Sequence, residues 1–392
     1  MRTSKSPVEG GEFYLLLWVV ALLGAILLGV IGAYIHLTRE ETPSITWGVL
    51  VPGYVFFALA ATGSSLVNSI FTVFNVERFK PIIKRGIWLS LVLIVPAWIF
   101  ILVDLGRPFN AYNLYLLFHP SSRLGWMGWL YMAFALYLVM ELVVVIREER
   151  MTKWAGLVMG ILVLGATLAV HTNLGALFGA VTAKPLWSSQ FLALHFIISA
   201  MMAGAMFHIF FMVVTNLLKR GSVMDELRQL FSKYYAPTVA GLIIINWILI
   251  AWEYIPALFS PEEAPFAKLL LAGPYSVQFW LIEIVAGGII PLIILLSRTT
   301  RRSIPCLVTA SILVLLGVFF SKYDLLIAGQ SLRLFTGEFI LYLPSAAEIL
   351  LFIGGTAVAL LLYTVGELLL PLEPEEKPAW FIFVKRGASV TR

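Results

Sequence analysis

Long apolar stretches alternate with short polar segments along most of this chain. Ten of the stretches are long enough to cross a bilayer, since a spanning helix needs about 20 predominantly apolar residues. The pattern therefore predicts an all-α protein, a polytopic transmembrane helical bundle with about ten transmembrane helices. The sixth stretch is long enough to tilt strongly or to project from the membrane. The predicted spans are 13–36, 48–72, 84–104, 125–147, 155–175, 187–218, 236–258, 277–297, 304–321 and 346–369.

Basic residues are distributed unevenly between the loops on the two sides of these spans. One side carries 20 of the 27 Lys and Arg residues, and both ends of the chain lie on that side. Because cytoplasmic loops are rich in Lys and Arg, the pattern predicts a multi-pass protein of the cytoplasmic membrane with both termini in the cytoplasm. The basic residues assigned to the outer side are Arg39, Arg107, Arg123, Lys184, Lys268, Lys322 and Arg333.

Composition agrees with a membrane protein and excludes some chemistry. The chain is 60% hydrophobic and 12% charged, against about 25% charged residues in an average soluble domain. The net charge of +5 does not indicate nucleic-acid binding, because the basic residues sit in short loops between the spans. In such loops they indicate the orientation of the chain in the membrane. The single cysteine, Cys306, cannot hold an iron–sulfur cluster, which needs several thiolates. The apolar run from Phe13 to Ile35 is longer than a signal peptide's and predicts an uncleaved first helix.

Polar side chains within the predicted spans are concentrated toward their outer ends. Such groups are costly in lipid, so each is a candidate functional residue. A structural role is the alternative: Asp104 and Arg107 could form an ion pair at a helix end. Glu141 and Glu367, near inner ends, are expected to reach the cytoplasmic surface. The outer candidates are Asp104, His171, Asn173, His195, Glu253, Tyr254, Glu283 and Glu348.

A histidine and several carboxyl groups at one membrane depth, among aromatic side chains, suit the head group of a quinone. Quinone reduction takes up two protons, which buried carboxyl groups can carry, and histidine can hydrogen-bond a carbonyl oxygen. We hypothesise that His171 or His195 contacts the quinone and that Asp104, Glu253 and Glu283 relay protons. A haem is less favoured, because His195 and His208 lie on nearly opposite faces of one predicted helix, although a His171–His195 pair stays open. No metal site is expected.

The most specific motif follows the third span. It reads Val103-Asp104-Leu105-Gly106-Arg107-Pro108 and continues through an aromatic stretch to His119-Pro120. The chain resembles the NrfD/polysulfide-reductase membrane-subunit family through this motif and several weaker ones. The ten-span length resembles the longer branch, which includes the hydrogenase-2 membrane subunit and the DsrP subunit. The weaker motifs are Trp47-Gly48, Pro185-Leu186-Trp187, Phe279-Trp280-x2-Glu283, and Glu348 with Gly354-Gly355.

The resemblance implies two four-helix bundles with extra helices, and no haem or iron–sulfur cluster in this chain. It implies a quinone, with menaquinone favoured, bound near the outer face. An extracytoplasmic ferredoxin-like iron–sulfur subunit would dock there, with further cytochrome or catalytic subunits and, as in the DsrP branch, a role in sulfur metabolism. By motif Asp104 and Arg107 carry over directly. Looser alignment carries over His171, Trp187, Glu253 and Glu283. The expected quinone site is completed by His195, Asn173 and Tyr254, which are chosen for their position in the spans.

Two functions of other classes stay open on the sequence. One is a secondary transporter, which predicts midplane sites and inverted repeats, and the other is an inert membrane anchor. Proton conduction, using Glu141, His208 and Glu367, is a possible addition to quinone chemistry. Residues 1–392 are expected to form one integral-membrane domain that ends in a cytoplasmic tail, residues 371–392.

Overall fold

The computed structural model of the protein describes residues 11–39, 45–73, 79–147, 153–181, 183–189, 191–333 and 338–372. Within these ranges, ten helices are long and apolar enough to cross a membrane. The all-α polytopic class is therefore confirmed, and the chain is an integral membrane protein. The helices are α1 (Gly11–Thr38), α2 (Leu50–Val73), α3 (Lys80–Asp104), α4 (Arg123–Ile146), α5 (Lys153–Gly179), α6 (Leu192–Arg220), α7 (Asp225–Ala257), α8 (Gln278–Leu296), α9 (Ile304–Ser331) and α10 (Ala346–Leu369).

Short helical segments join several of these spans. The segment after α3 contains a 3₁₀ turn, Pro108–Tyr112, followed by one helical turn, Asn113–Leu116. A second 3₁₀ turn, Pro185–Trp187, precedes α6, so Trp187 lies outside the helix that the sequence assigns to it. Further segments are the helix Ala264–Leu271 and the 3₁₀ turn Thr300–Arg302.

The spans form two four-helix bundles. In the first, α2, α3, α4 and α5 pack in a closed ring, and in the second, α6, α7, α8 and α9 do the same. Contacts of α2 with α6 and α9 join the bundles, which makes α2 the most buried of the ten spans. The other two helices are added at one side, where α10 packs on α3 and α1 packs on α10. This arrangement confirms the predicted two bundles with extra helices.

Glycine allows the two bundles to approach closely. A Cβ atom added at Gly63 of α2 would overlap the carbonyl group of Ala200 in α6. One added at Gly204 of α6 would overlap the backbone of Gly63 and Ser64. Small residues let helix backbones come together in a membrane, where packing and not hydrophobic burial drives association. The α2–α6 contact is therefore fixed by residues without side chains.

Three spans of the second bundle contain π-helical turns. These are Phe231–Tyr235 in α7, Gln278–Ile289 in α8 and Asp324–Ala328 in α9. They carry α7 back to Asp225 and α9 on to Ser331, beyond the predicted spans 236–258 and 304–321. A π-helical turn inserts an extra residue and is frequent at functional sites. The hydrophobic pattern does not reveal these turns, because they leave the apolar composition unchanged.

Near the basic-rich face, a buried ion pair corrects the expectation that Glu367 reaches the surface. Its Oε1 atom accepts hydrogen bonds from Arg85 Nε at 2.7 Å and from Tyr363 Oη at 3.1 Å. Lys219 Nζ donates to the Glu367 carbonyl oxygen at 2.9 Å. The side chains of Arg85 and Glu367 are almost fully buried, so this acid connects α3, α6 and α10. Glu141 is also buried and does not reach the surface.

The opposite face, where α1 ends and α2 begins, is called the basic-poor face below. It is formed by the segments 105–122, 180–191, 258–277 and 332–345, with their gaps. Of the tail predicted for residues 371–392, the described part is limited to Pro371 and Leu372, and residues 373–392 lie outside the described residues.

Candidate functional site

Four helices of the second bundle bring buried polar side chains together near the basic-poor face. The helix α6 supplies His195, α7 supplies Asn246 and Glu253, and α8 supplies Glu283. The fourth helix, α9, contributes two residues absent from the sequence-based candidates. We call the set the acid–lysine cluster; its members are His195, Asn246, Glu253, Glu283, Lys322 and Asp324.

His195 and Glu253 form a pair near the start of α6 and the end of α7. His195 Nδ1 lies 3.5 Å from Glu253 Oε2, and both side chains are less than one-tenth exposed. The position of His195 follows from α6, which turns it inward beside the buried residues Phe196 and Ser199. Asn246 also interacts with His195. The structure thus places in contact two residues for which the sequence predicted only a similar depth in the membrane.

Lys322 and Asp324 lie within α9, on either side of the point where the helix widens into its π-helical turn. Lys322 is completely buried, which corrects its assignment to an outer loop. Its Nζ atom lies 5.0 Å from the centre of the Phe196 ring, a distance typical of a cation–π contact. It also interacts electrostatically with Glu253 and Glu283. Asp324 accepts a hydrogen bond from Gln278 Nε2.

Several buried polar atoms of this cluster have no hydrogen-bond partner within 3.5 Å, although Asn246 lies near His195 and Glu283 lies near Asp324. Most buried polar atoms in proteins are hydrogen-bonded to protein or water, so a concentration of exceptions indicates a place for a ligand or ordered water. Each helix of the second bundle except α8 contributes at least one such atom. The atoms are His195 Nε2, Asn246 Oδ1, Glu253 Oε1, Lys322 Nζ and Asp324 Oδ2.

A cleft of about 280 Å³ opens beside the cluster, between the 3₁₀ turn Pro185–Trp187 and the end of α7. Glu253 is one of its lining residues. At its rim, the exposed rings of Phe191 and Trp252 meet edge to face, with centroids 5.8 Å apart. Ligand sites typically have apolar walls and a few convergent polar groups. A molecule in this cleft would lie beside the side chain of Glu253.

Two predicted residues support this region from behind. Trp187 is buried, stacks on Trp47 with ring centroids 5.1 Å apart, and donates from Nε1 to the carbonyl oxygen of Leu325 at 2.8 Å. That carbonyl belongs to the π-helical turn that begins at Asp324. Tyr254 is buried against Phe279, and it interacts electrostatically with Glu253, Glu283 and Asp324.

Asp104 lies in a second polar group, between the first bundle and α10. It interacts electrostatically with Glu348 and Arg39, whereas Arg107 is exposed beyond the turn at Gly106. Glu348 caps α10: its Oε2 atom accepts from the Ser345 backbone N–H at 2.8 Å, in a reciprocal capping box.

The same group includes the tyrosine that faces this cap. Tyr342 Oη accepts a hydrogen bond from the Val49 backbone at 2.7 Å, and burial raises the pKa of this phenol. A Cβ atom added at Gly48 would overlap Glu348 and Tyr342. The Trp47-Gly48 motif is thus explained by close packing at this point.

His171 and Asn173 occupy structural positions within the first bundle. His171 is completely buried, with Nδ1 2.8 Å from the Thr167 carbonyl oxygen and Nε2 3.2 Å from Thr62 Oγ1. Both ring nitrogens therefore have partners. Asn173 Nδ2 donates to the Arg123 carbonyl oxygen at 3.1 Å, which ties α5 to the start of α4.

A second cavity, of about 290 Å³, lies between α2, α6 and α7 toward the basic-rich face. Its walls are apolar, and its Tyr235 hydroxyl is 2.8 Å from His208 Nδ1. The other ring nitrogen, His208 Nε2, lies 2.8 Å from Ser64 Oγ. These polar groups are hydrogen-bonded to one another, so the cleft beside Glu253 is the stronger candidate site.

The fold and the cluster define a polytopic helical membrane protein with a buried acid–histidine–lysine site near one face. The family model described as polysulphide reductase, NrfD matches residues 37–333, and the chain belongs to this family. The matched range includes the cleft and every residue of the acid–lysine cluster.

Several relatives share most of the chain's length. The chain is 28% identical over 350 residues to the Hdr-like menaquinol oxidoreductase integral membrane subunit of Archaeoglobus fulgidus, covering 84% of this chain and 86% of the relative. It is 22% identical over 337 residues to the menaquinone reductase integral membrane subunit of Nitratidesulfovibrio vulgaris, covering 78% of each. It is 22% identical over 316 residues to the NrfD homolog of Haemophilus influenzae, covering 74% of this chain and 96% of the relative.

Proposed function

We propose that this chain is the quinone-binding membrane subunit of a respiratory redox complex, and that the quinone head group lies in the cleft beside Glu253. The observation that carries the proposal is the set of unpartnered polar atoms next to a cleft that is lined by both apolar and polar residues. His195 Nε2 and Lys322 Nζ are suited to donate to carbonyl oxygens, and Glu253 Oε1 to exchange a proton. Two relatives named for menaquinol or menaquinone chemistry favour menaquinone as the quinone.

His195, and not His171, is the histidine that we assign to the quinone. Both His171 nitrogens are bonded within the first bundle, whereas His195 Nε2 has no partner. In this proposal His195 orients the head group, Glu253 and Glu283 hold the protons that quinone chemistry requires, and Phe191 and Trp252 guide the ring in from the lipid. Asp104, which belongs to the second polar group, and the exposed Arg107 are proposed to shape the basic-poor face.

Electrons would pass between the quinone and an iron–sulfur subunit docked on the basic-poor face, outside the cytoplasm. Large apolar side chains project from this face: Phe109 is 90% exposed and Phe259 is 85% exposed. Exposed aromatic side chains of this kind are available for contact with a partner protein or with lipid. The loop charges support the orientation that places both termini in the cytoplasm. The family resemblance favours sulfur compounds as the terminal substrate, with further cytochrome or catalytic subunits in the complex.

The test is a titration of the purified protein with a menaquinone analogue, followed by Trp fluorescence. We expect saturable quenching, and a loss of affinity of about tenfold or more in Glu253→Leu and in His195→Leu, since each removes a hydrogen bond to the bound head group. Glu226→Gln, at an exposed position on the basic-rich side, is the control and should bind as the wild type does. Undiminished binding in both cleft variants, with loss in Glu348→Gln, would move the site to the second polar group.

Proton conduction across the membrane is a second proposal, supported by a hydrogen-bonded series in the other half of the molecule. Ser90 Oγ donates to Ser64 Oγ at 2.9 Å, and Ser64, His208 and Tyr235 continue the series. Such a series would extend a path from the site toward the basic-rich face. Quinone-linked acidification in proteoliposomes, abolished in His208→Leu while turnover persists, is the expected result. Acidification that persists in this variant would exclude the path.

A further inference from the structure

The acid–lysine cluster contains more acids than cations. Glu253, Glu283 and Asp324 contribute three carboxyl groups, and Lys322 contributes one ammonium group. Among the described residues, Lys322 is the cation that interacts with both glutamates. The remaining groups that face the cluster are His195 and Phe196 from α6, Asn246 and Tyr254 from α7, Gln278 from α8 and Ser321 from α9.

Burial limits how many of these groups can be charged together. Lys322 has no exposure, Asp324 is 1% exposed and Glu283 is 8% exposed. An isolated buried charge is very costly, and a buried pair is tolerated only when opposite charges compensate each other. Carboxyl groups that share a site cannot all ionise. One ammonium group therefore compensates one carboxylate, and the other two acids stay neutral by holding protons.

We propose that Lys322 holds a single carboxylate in this cluster and thereby leaves it loaded with two protons, the number that a quinone takes up on reduction. Lys322 is in this sense a positioning residue, because its charge sets the number of protons that the cluster holds. The pairing of His195 with Glu253 does not alter the total, because one of the two protons can reside on either partner. The destination of the protons rests on the proposed quinone function; their number rests on the charges alone.

Atoms and electrons balance when the cluster donates protons during reduction of the quinone. Two protons leave the cluster, from acid O–H bonds or from the imidazolium of the histidine–carboxylate pair, and two O–H bonds form on the quinone oxygens. Both electrons come from the iron–sulfur partner. The emptied cluster would carry three carboxylates against one ammonium group, so protons must return from water as they leave. Glu253, which lines the cleft, is the member through which they re-enter.

Infrared spectroscopy of the purified protein without quinone, at neutral pH, counts protonated carboxyl groups through their C=O stretching band. Lys322→Met removes the one compensating charge. We expect it to gain protonated carboxyl intensity equal to one group per chain and to lose the same amount of carboxylate intensity. Lys322→Arg keeps the charge and should leave both bands unchanged, as should Lys233→Met at an exposed position. No gain in Lys322→Met would overturn the proposal.

A charge-balanced variant covers the case in which Lys322→Met fails to fold. Lys322→Met combined with Glu283→Gln removes one cation and one acid together. Two protonated groups should remain, so the carboxylic acid band should equal that of the wild type while one carboxylate is lost. A smaller acid band would contradict the proposed inventory.

The infrared spectra and the quinone titration test the two proposals separately. Absence of saturable quinone binding with the expected infrared changes would remove the quinone function and keep the two-proton inventory. Normal quinone binding without the infrared gain would do the reverse.

Discussion

Arg85 Nε donates to Glu367 Oε1 at 2.7 Å between two helices, α3 and α10, that are far apart in the sequence. A second bond, from Arg85 Nη2 to Glu367 Oε2 at 3.2 Å, makes the contact bidentate. Both side chains are almost fully buried. The pair anchors α10, and through it α1, to the first bundle near the basic-rich face.

Breaking this pair is expected to destabilise the protein strongly. Arg85→Met leaves the Glu367 carboxylate buried without its guanidinium, which costs about 3–5 kcal/mol. The matched control is Arg228→Met, an exposed arginine on the same face, which should change stability little. Thermal unfolding in detergent measures both. The double variant Arg85→Met/Glu367→Met should recover much of the loss, and a single variant as stable as the wild type would contradict this role.

Gly204→Ala should loosen the contact between the two bundles. The added methyl group would overlap the backbone of Gly63 and Ser64, so α6 must move away from α2, at a cost of about 1–3 kcal/mol or more. Gly241→Ala provides the comparison, because a Cβ atom there has nothing within 4 Å. Unfolding of the two variants in the same detergent should separate them clearly. Equal stability would show that the α2–α6 contact tolerates a side chain.

His171→Leu should lower stability and leave quinone affinity unchanged. The substitution removes both hydrogen bonds of the imidazole within the first bundle, and disrupted buried hydrogen bonds cost about 1–3 kcal/mol. Unfolding and the quinone titration, measured on one preparation, report the two effects. A stable variant that no longer binds quinone would reverse our choice of His195 over His171.

Trp187→Phe should weaken quinone binding from a position behind the site. It deletes the hydrogen bond to the Leu325 carbonyl oxygen, so the π-helical turn that places Asp324 loses a support worth about 1 kcal/mol. Trp154→Phe is the control, since Trp154 is 76% exposed. Quinone affinity and unfolding temperature should both fall in the first variant, and neither should change in the second. Unchanged affinity would show that the π-helical turn does not contribute to quinone binding.

The sequence was sufficient to predict the ten spans and, through the family resemblance, the two bundles, and it named three members of the candidate site. Apolar length alone marks a spanning helix, because lipid forces the backbone to satisfy its hydrogen bonds internally. The depth of His195, Glu253 and Glu283 could also be read, and the structure brings these three to one cluster. Depth does not reveal direction around the helix, so the separation of His171 and Asn173 from that cluster could not be foreseen.

Lys322 and Asp324 were missed for a definite physical reason. A lysine and an aspartate two residues apart at the end of an apolar run look like the start of a loop. The π-helical turn instead carries the helix onward through Leu325, Leu326 and Ile327. That apolar run after Asp324 was the available signal, since a loop at the surface has no need of three consecutive aliphatic residues.

The position of α1 bears on how the protein is made. Its main partner is α10, which it meets where Gly29 and Gly354 touch, and α10 leaves the ribosome after every other span. Until α10 has been made, α1 lies in the bilayer without that partner. It is the most hydrophobic and the least buried of the ten spans, so lipid can surround it during this interval. The order of synthesis and the composition of the first helix are matched.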